Sequence, residues 1–123
     1  MPKILVVDDE QKIREVIREY SEFNGFEVTE AADGMTAVGL CKLNDYDLII
    51  MDIMMPKLDG IAATKAIRDM ERPDAVEIPI IAMTANAFEE DARKCVEAGM
   101  NAHLSKPLQM DVVVGTIAQY YKR

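Results

Sequence analysis

Leu48-Ile49-Ile50-Met51 is an uninterrupted apolar run held between Asp47 and Asp52. It is too short for an ordinary helix. Without alternation it suits a strand covered on both faces, as in the middle of a parallel sheet. The run closes on a carboxylate, and Pro56 soon bars further sheet pairing. Asp52 is therefore expected at the carboxyl edge of a central strand, where open α/β sheets hold their ligands. An Asp in that place is also an ordinary turn former, so Asp52 alone fits either reading.

The rest of the chain repeats the pattern. Lys3–Val7 is a second short apolar run and ends in Asp8-Asp9-Glu10, Ile80–Met83 ends at Thr84, and Ala102–Ser105 closes on Lys106-Pro107. Residues 26–30 read as a more polar strand, expected near the sheet edge. Between these lie helical patterns. The first sets Ile13, Val16, Ile17 and Tyr20 on one face and stops at Asn24-Gly25. The second, Met35–Leu43, follows the Asp33-Gly34 turn and should bury Ala37, Val38 and Cys41. The third starts at Asp59-Gly60, packs Ala63, Ile67 and Met70, and breaks at Arg72-Pro73-Asp74. The fourth runs from Phe88 to Ala98 and stops at Gly99, and the last from Gln109 to Tyr121.

Strands alternating with helices call for a doubly wound, five-stranded parallel sheet with five helices on its two faces. Right-handed crossovers leave few topologies. The order 2-1-3-4-5 gives the polar second strand an edge and the two most apolar strands the middle, with the first and third strands meeting at the switch point.

The 123 residues fit a single domain over 1–123, and with 50% hydrophobic residues its core can be filled. The net charge of −8 argues against nonspecific binding to nucleic acid or anionic membrane and is consistent with binding a cation. Cys41 and Cys95 lack metal-ligand spacing and read as small core residues. No apolar run approaches a membrane span and no signal peptide precedes the first strand, so a cytoplasmic domain is expected.

In such a sheet every strand end reaches the same rim. Strand one delivers Asp8 and Asp9, strand three Asp52, strand four Thr84 and strand five Lys106. At a separation of ~4 Å and an effective dielectric of ~20, two carboxylates repel by about 4 kcal/mol. Such a group either takes up a proton or calls for a cation, and one lysine does not neutralise three acids. Hard oxygen donors suit Mg²⁺. With a phosphoryl donor present, Asp52 is placed to be the nucleophile, Lys106 to pair with one phosphoryl oxygen and the Thr84 hydroxyl to donate to another. Ala85 leaves room for the group to lie close.

The carriers Val6-Val7-Asp8-Asp9-Glu10, Met51-Asp52-Ile53-Met54-Met55-Pro56, Asp59-Gly60, Met83-Thr84-Ala85 and Ser105-Lys106-Pro107 strongly resemble the response-regulator receiver domain. This is the CheY-like phosphoacceptor of two-component signalling, with a flavodoxin-like fold. The resemblance covers essentially the whole chain. It implies that Asp52 accepts phosphate from a phosphohistidine of a histidine kinase or histidine phosphotransfer protein. It implies that Asp8, Asp9, Asp52 and the Met54 carbonyl hold Mg²⁺, with Mn²⁺ as a substitute. Thr84 and Lys106 would sense the phosphoryl group, and Lys106-Pro107 would be a cis peptide. The fourth helix, fifth strand and fifth helix would then change their affinity for a downstream effector protein or an effector domain outside these residues.

Three residues before the lysine the family usually has Tyr or Phe, a ring that turns inward when the Thr moves. Here it is His103, the sole histidine. Two readings stand: a partly buried strand histidine bonded to backbone, or a working switch ring that titrates near neutral pH. Met83-Thr84-Ala85-Asn86-Ala87-Phe88 is similar to receivers attached to hybrid histidine kinases, whereas the amino-terminal half, through Lys57, is more similar to transcription-factor receivers, a mixture that fits a natural or a recombined chain. Gly99-Met100-Asn101-Ala102-His103 lacks the paired acids found there in receivers of winged-helix regulators, which puts their symmetric dimer in doubt. Met54 and Asn86 border the route of water to phosphorus, and apolar Met54 implies a long-lived phospho-form.

Three other functions compete with this one. A flavodoxin-like cofactor binder fails at Asp8-Asp9-Glu10, which would repel a cofactor phosphate. A phosphatase working through an aspartyl phosphate wants an acid where Met54 stands. A phosphorylation-independent binding module is the alternative that an intact acidic rim disfavours. The chain is read as a switch modified by its donor, with at most weak self-catalysed phosphorylation and dephosphorylation, and not as an enzyme.

Overall fold

A computed structural model describes residues 2–55, 58–70, 77–84 and 89–121. Pro56, the break at 72–74, and Ala85, Asn86 and Phe88 lie outside the described residues. The elements follow in the order β1 (Lys3–Val7), α1 (Gln11–Phe23), β2 (Glu27–Ala31), α2 (Gly34–Leu43), β3 (Leu48–Asp52), α3 (Gly60–Arg68), β4 (Ile80–Thr84), α4 (Glu89–Ala98), β5 (Ala102–Ser105) and α5 (Met110–Tyr121). All strand pairings are parallel and the sheet order is β2-β1-β3-β4-β5. The polar strand β2 takes one edge, as its composition requires, and β5 the other.

Successive strand residues face opposite sides, and two apolar layers result. Leu5, Val7, Ile49, Met51, Ile80 and Ala82 pack with residues of α2, α3 and α4, among them Ala37, Cys41, Ala63, Ile67 and Cys95. Ile4, Val6, Leu48, Ile50, Ile81 and Met83 pack with Ile17 of α1 and with Val113 and Ile117 of α5. Every residue of β3 and β4 is buried, which is why those strands read as continuous apolar runs. Both cysteines are buried, Cys41 and Cys95 alike.

The face of α1 differs from its expected composition. Ile17 is fully buried and Ile13 half-buried, but Val16 and Tyr20 are exposed and Ser21 is buried instead. The ridge that meets the sheet is 13-17-21, a strict four-residue spacing, and Val16 and Tyr20 lie to one side of it. Met70 is half-buried just beyond the end of α3 rather than within it.

Two of the turn aspartates act as helix caps. The Thr36 amide donates to Asp33 Oδ1 at 2.7 Å, and the Ala62 amide to Asp59 Oδ1 at 2.8 Å. Gly60 has a further reason to be glycine: a Cβ there would stand 2.2 Å from the Asp52 carbonyl oxygen. The start of α3 is thus drawn against the end of β3, and the Gly60 amide bonds the Ile53 carbonyl at 3.3 Å.

Candidate phosphoacceptor site

Asp8 and Asp52 follow or end adjacent parallel strands, and their local geometry is the same. Asp8 Oδ1 accepts from the Glu10 amide at 2.8 Å, and Asp52 Oδ1 accepts from the Met54 amide at 3.2 Å. Each carboxylate is pinned by the amide two residues on, and its second oxygen is left for the site. Both second oxygens meet the same cation. Lys106 Nζ lies 3.1 Å from Asp8 Oδ2 and 3.3 Å from Asp52 Oδ2.

Lys106 directly follows β5, and its amide donates to the Thr84 carbonyl at 2.8 Å, which keeps it at the rim. The Lys106-Pro107 peptide is cis, as the family resemblance implied. Asp8 is fully buried and Asp52 nearly so, whereas Asp9 is exposed. One oxygen from each of Asp8, Asp9 and Asp52 lies within 4.8 Å of the others. An all-oxygen donor set at that spacing fits a hard divalent cation such as Mg²⁺.

The electrostatics show the cost of this grouping. Burial pushes the Asp52 carboxyl above the usual carboxylate range, and the neighbouring Asp8 charge adds to it. The Met54 amide and Lys106 pull the other way without cancelling it. Burial likewise raises Asp8, partly offset by the Glu10 amide and by Lys106. For Lys106 burial acts against the charged form, but its hydrogen bonds and charge attraction to Asp8 and Asp52 prevail and raise its pKa. The ammonium stays protonated while the acids beside it are under-compensated.

Thr84 closes the group. It is buried, and its Oγ1 has no hydrogen-bond partner among the described residues. Native structures rarely leave a buried hydroxyl unpaired, so this one has donor capacity to spare at the rim. His103, by contrast, is exposed. The partly buried placement in one of its two readings therefore does not hold. Met54 is 74% exposed, so its side chain borders the rim and does not fill it.

The rim thus gathers Asp8, Asp9, Asp52, Thr84 and Lys106, as the strand ends predicted. Two supports of the site are not evident from the sequence in this role. Gly60 is required by its close approach to Asp52, and the glycine after a turn Asp was a visible but ambiguous signal. Arg14, whose Nη1 donates to the Asp8 carbonyl at 2.7 Å, gave no signal, since one arginine on a charged helix face looks solvated.

The doubly wound sheet thus carries an acidic, lysine-bearing rim at its switch point. Residues 4–118 match the response regulator receiver domain, and the chain belongs to that family. It is 35% identical over 120 residues to the sensor histidine kinase RcsC of Escherichia coli, covering 98% of this chain and 12% of that protein. It is 45% identical over 103 residues to histidine kinase 1 of Arabidopsis thaliana, covering 82% of this chain and 8% of that protein. The chain therefore spans only a small part of these relatives.

Among solved structures, a Francisella response regulator receiver domain superposes with a TM-score of 0.90 at 36% identity, covering 100% of this chain and 98% of that one. The receiver domain of a Pseudomonas aeruginosa sensor histidine kinase gives 0.90 at 37% identity, covering 99% and 98%. That structure has a magnesium ion coordinated in its active-site cleft. The protein is a receiver domain of two-component phosphorelay signalling. Among the described residues no helix is long and apolar enough to cross a membrane.

Proposed function

We propose that residues 1–123 form one cytoplasmic receiver unit in which Asp52 is the phosphoacceptor. The observation that carries this is the Asp52 carboxylate, buried at the rim with Oδ2 on Lys106 and with Asp8 and Asp9 oxygens beside it. The donor is a phosphohistidine of a histidine kinase or of a histidine phosphotransfer protein. An Asp52 oxygen attacks phosphorus, the P–N bond breaks, and the departing imidazole takes a proton from solvent. Lys106 holds one phosphoryl oxygen, and the Thr84 hydroxyl, unpartnered among the described residues, donates to another.

Asp8, Asp9, Asp52 and the Met54 carbonyl are the groups that would hold Mg²⁺, or Mn²⁺ in its place. Bound there, the ion offsets the charge of the acids and of the incoming phosphoryl group. The reaction modifies the protein once per donor. Self-phosphorylation from small donors and self-dephosphorylation are weak side activities.

Modification alters an existing equilibrium of the α4–β5–α5 face and so its affinity for an effector protein or domain. That face carries exposed Val96, His103 and Val112. Thr84 drawn toward the phosphoryl group frees space on the side of β4 next to β5, where His103 would act as the switch ring. The test is phosphotransfer from a labelled histidine kinase to the wild type and to Asp52→Asn. Label should pass to the wild type alone; transfer to both would place the acceptor elsewhere.

A further inference from the structure

The geometry points to Arg14 as a positioning residue for the metal-binding carboxylates, acting through the Asp8 carbonyl; this rests on the metal role proposed above. The two paired acids at the front of the rim are not held alike. The Asp8 carboxylate is fixed by the Glu10 amide and contacts Lys106. The Asp9 carboxylate is exposed and has no hydrogen bond among the described residues. Its direction therefore follows from the backbone, chiefly from the peptide joining residues 8 and 9.

Arg14 holds that peptide from outside. One turn along α1, its Nη1 donates to the Asp8 carbonyl oxygen at 2.7 Å, while its Nε donates to Glu30 Oε1 at 3.0 Å. Glu30 is on the edge strand β2 beside Val6 in register, and its other oxygen accepts from Arg18 Nη1 at 3.0 Å. Arg14 and Glu30 side chains are only 15% and 21% exposed, so the pair is partly shielded from water. On the strand side, the Asp8 amide donates to the Ala31 carbonyl at 3.1 Å. The Asp8 backbone is thus tied to β2 twice, by its amide directly and by its carbonyl through Arg14 and Glu30. A planar guanidinium makes both bonds at once; an ammonium does not reproduce that fork.

Charge and positioning predict opposite signs. Removal of a nearby positive charge, taken alone, favours a cation at the rim. Loss of positioning weakens the cation instead.

The test is calorimetric titration of Mg²⁺ into the unphosphorylated chain, for wild type, Arg14→Gln, Arg14→Lys, Glu30→Gln and the exposed control Lys42→Gln, each checked by thermal melting. Arg14→Gln should bind Mg²⁺ about 10-fold more weakly, near the lower end for outer-shell partners of metal ligands. Arg14→Lys should fall between it and wild type, Glu30→Gln should weaken binding about 3-fold on the same scale, and Lys42→Gln should match wild type. In EDTA, the Asp9 and Glu10 amides of Arg14→Gln should exchange faster than in wild type. Unchanged or tighter Mg²⁺ binding by folded Arg14→Gln overturns the proposal, and if that variant does not fold, wild-type affinity in both Arg14→Lys and Glu30→Gln overturns it equally. A wild type that binds no Mg²⁺, or binding that survives Asp8→Asn with Asp9→Asn, overturns the metal site itself and this proposal with it.

Discussion

Lys106 donates from Nζ to Oδ2 of Asp52 at 3.3 Å, across 54 positions of sequence. The same ammonium contacts Asp8 at 3.1 Å, so the loop after β5 supplies the only side-chain cation facing the acids at the switch point among the described contacts. Replacing it leaves two buried carboxylates facing one another. Lys106→Met should lose about 1–3 kcal/mol of stability at pH 7.5, less than a broken buried pair usually costs because the acids relax by taking up a proton. Urea unfolding at pH 7.5 and at pH 4.5 checks this: the loss should be smaller at the lower pH.

The raised carboxyls of Asp8 and Asp52 give stability a definite slope with pH. Their folded pKa values exceed those of the unfolded chain, so the folded state binds more protons between the two. Stability from this pair is then fully present below the ordinary carboxylate pKa and is lost as pH rises through the raised values. Without metal, the contribution of this pair should favour mildly acidic solution over pH 7.5, and saturating Mg²⁺ should restore most of the difference. Melting curves across pH in EDTA and in Mg²⁺ measure it.

The same burial predicts a stabilising substitution. Asp8→Asn removes one under-compensated charge, and the metal-free protein should gain roughly 1–2 kcal/mol at pH 7.5. The variant should also lose the melting increase that Mg²⁺ gives the wild type. A less stable variant in EDTA would show that the contacts to Glu10 and Lys106 outweigh the desolvation of Asp8.

Much of this rim was legible because β1, β3 and β4 are buried almost throughout and each ends on or leads straight into a polar residue. β3 and β5 begin and end where the sequence placed them, and Asp8, Asp9, Asp52, Thr84 and Lys106 meet as expected. The misses have a common cause: they depend on neighbours that periodicity does not name. Apolar spacing showed that α1 has a buried stripe, but its phase was set by how the helix sits on the sheet, which buried Ser21 and exposed Tyr20. His103 lies in a strand pattern, yet it is exposed while its neighbour Leu104 is buried. Arg14 and Gly60 act on backbone oxygens of Asp8 and Asp52, contacts that leave no mark in hydrophobic pattern or charge count.

Gly60 gives a packing prediction. The Cβ of Gly60→Ala would meet the Asp52 carbonyl, a backbone atom that yields only if β3 or α3 shifts. The expected loss is about 1–3 kcal/mol, with slower phosphorylation of Asp52 in protein that remains folded. Urea unfolding and phosphorylation time courses on the same preparation test both parts.

Met54 is exposed beside the acceptor and offers no group to hold water. Met54→Asn should therefore shorten the lifetime of the phospho-form at unchanged Mg²⁺. Dephosphorylation rates of the two proteins decide it, and equal rates or a slower variant would contradict the reading.

Intact mass after treatment with acetyl phosphate tests the central claim most directly, for wild type and Asp52→Asn, with and without Mg²⁺. The expected result is a gain of one phosphoryl group in the wild type with Mg²⁺, and none in Asp52→Asn or in EDTA. An equal gain in Asp52→Asn, or no gain in folded wild type under conditions that modify a control receiver domain, would contradict it.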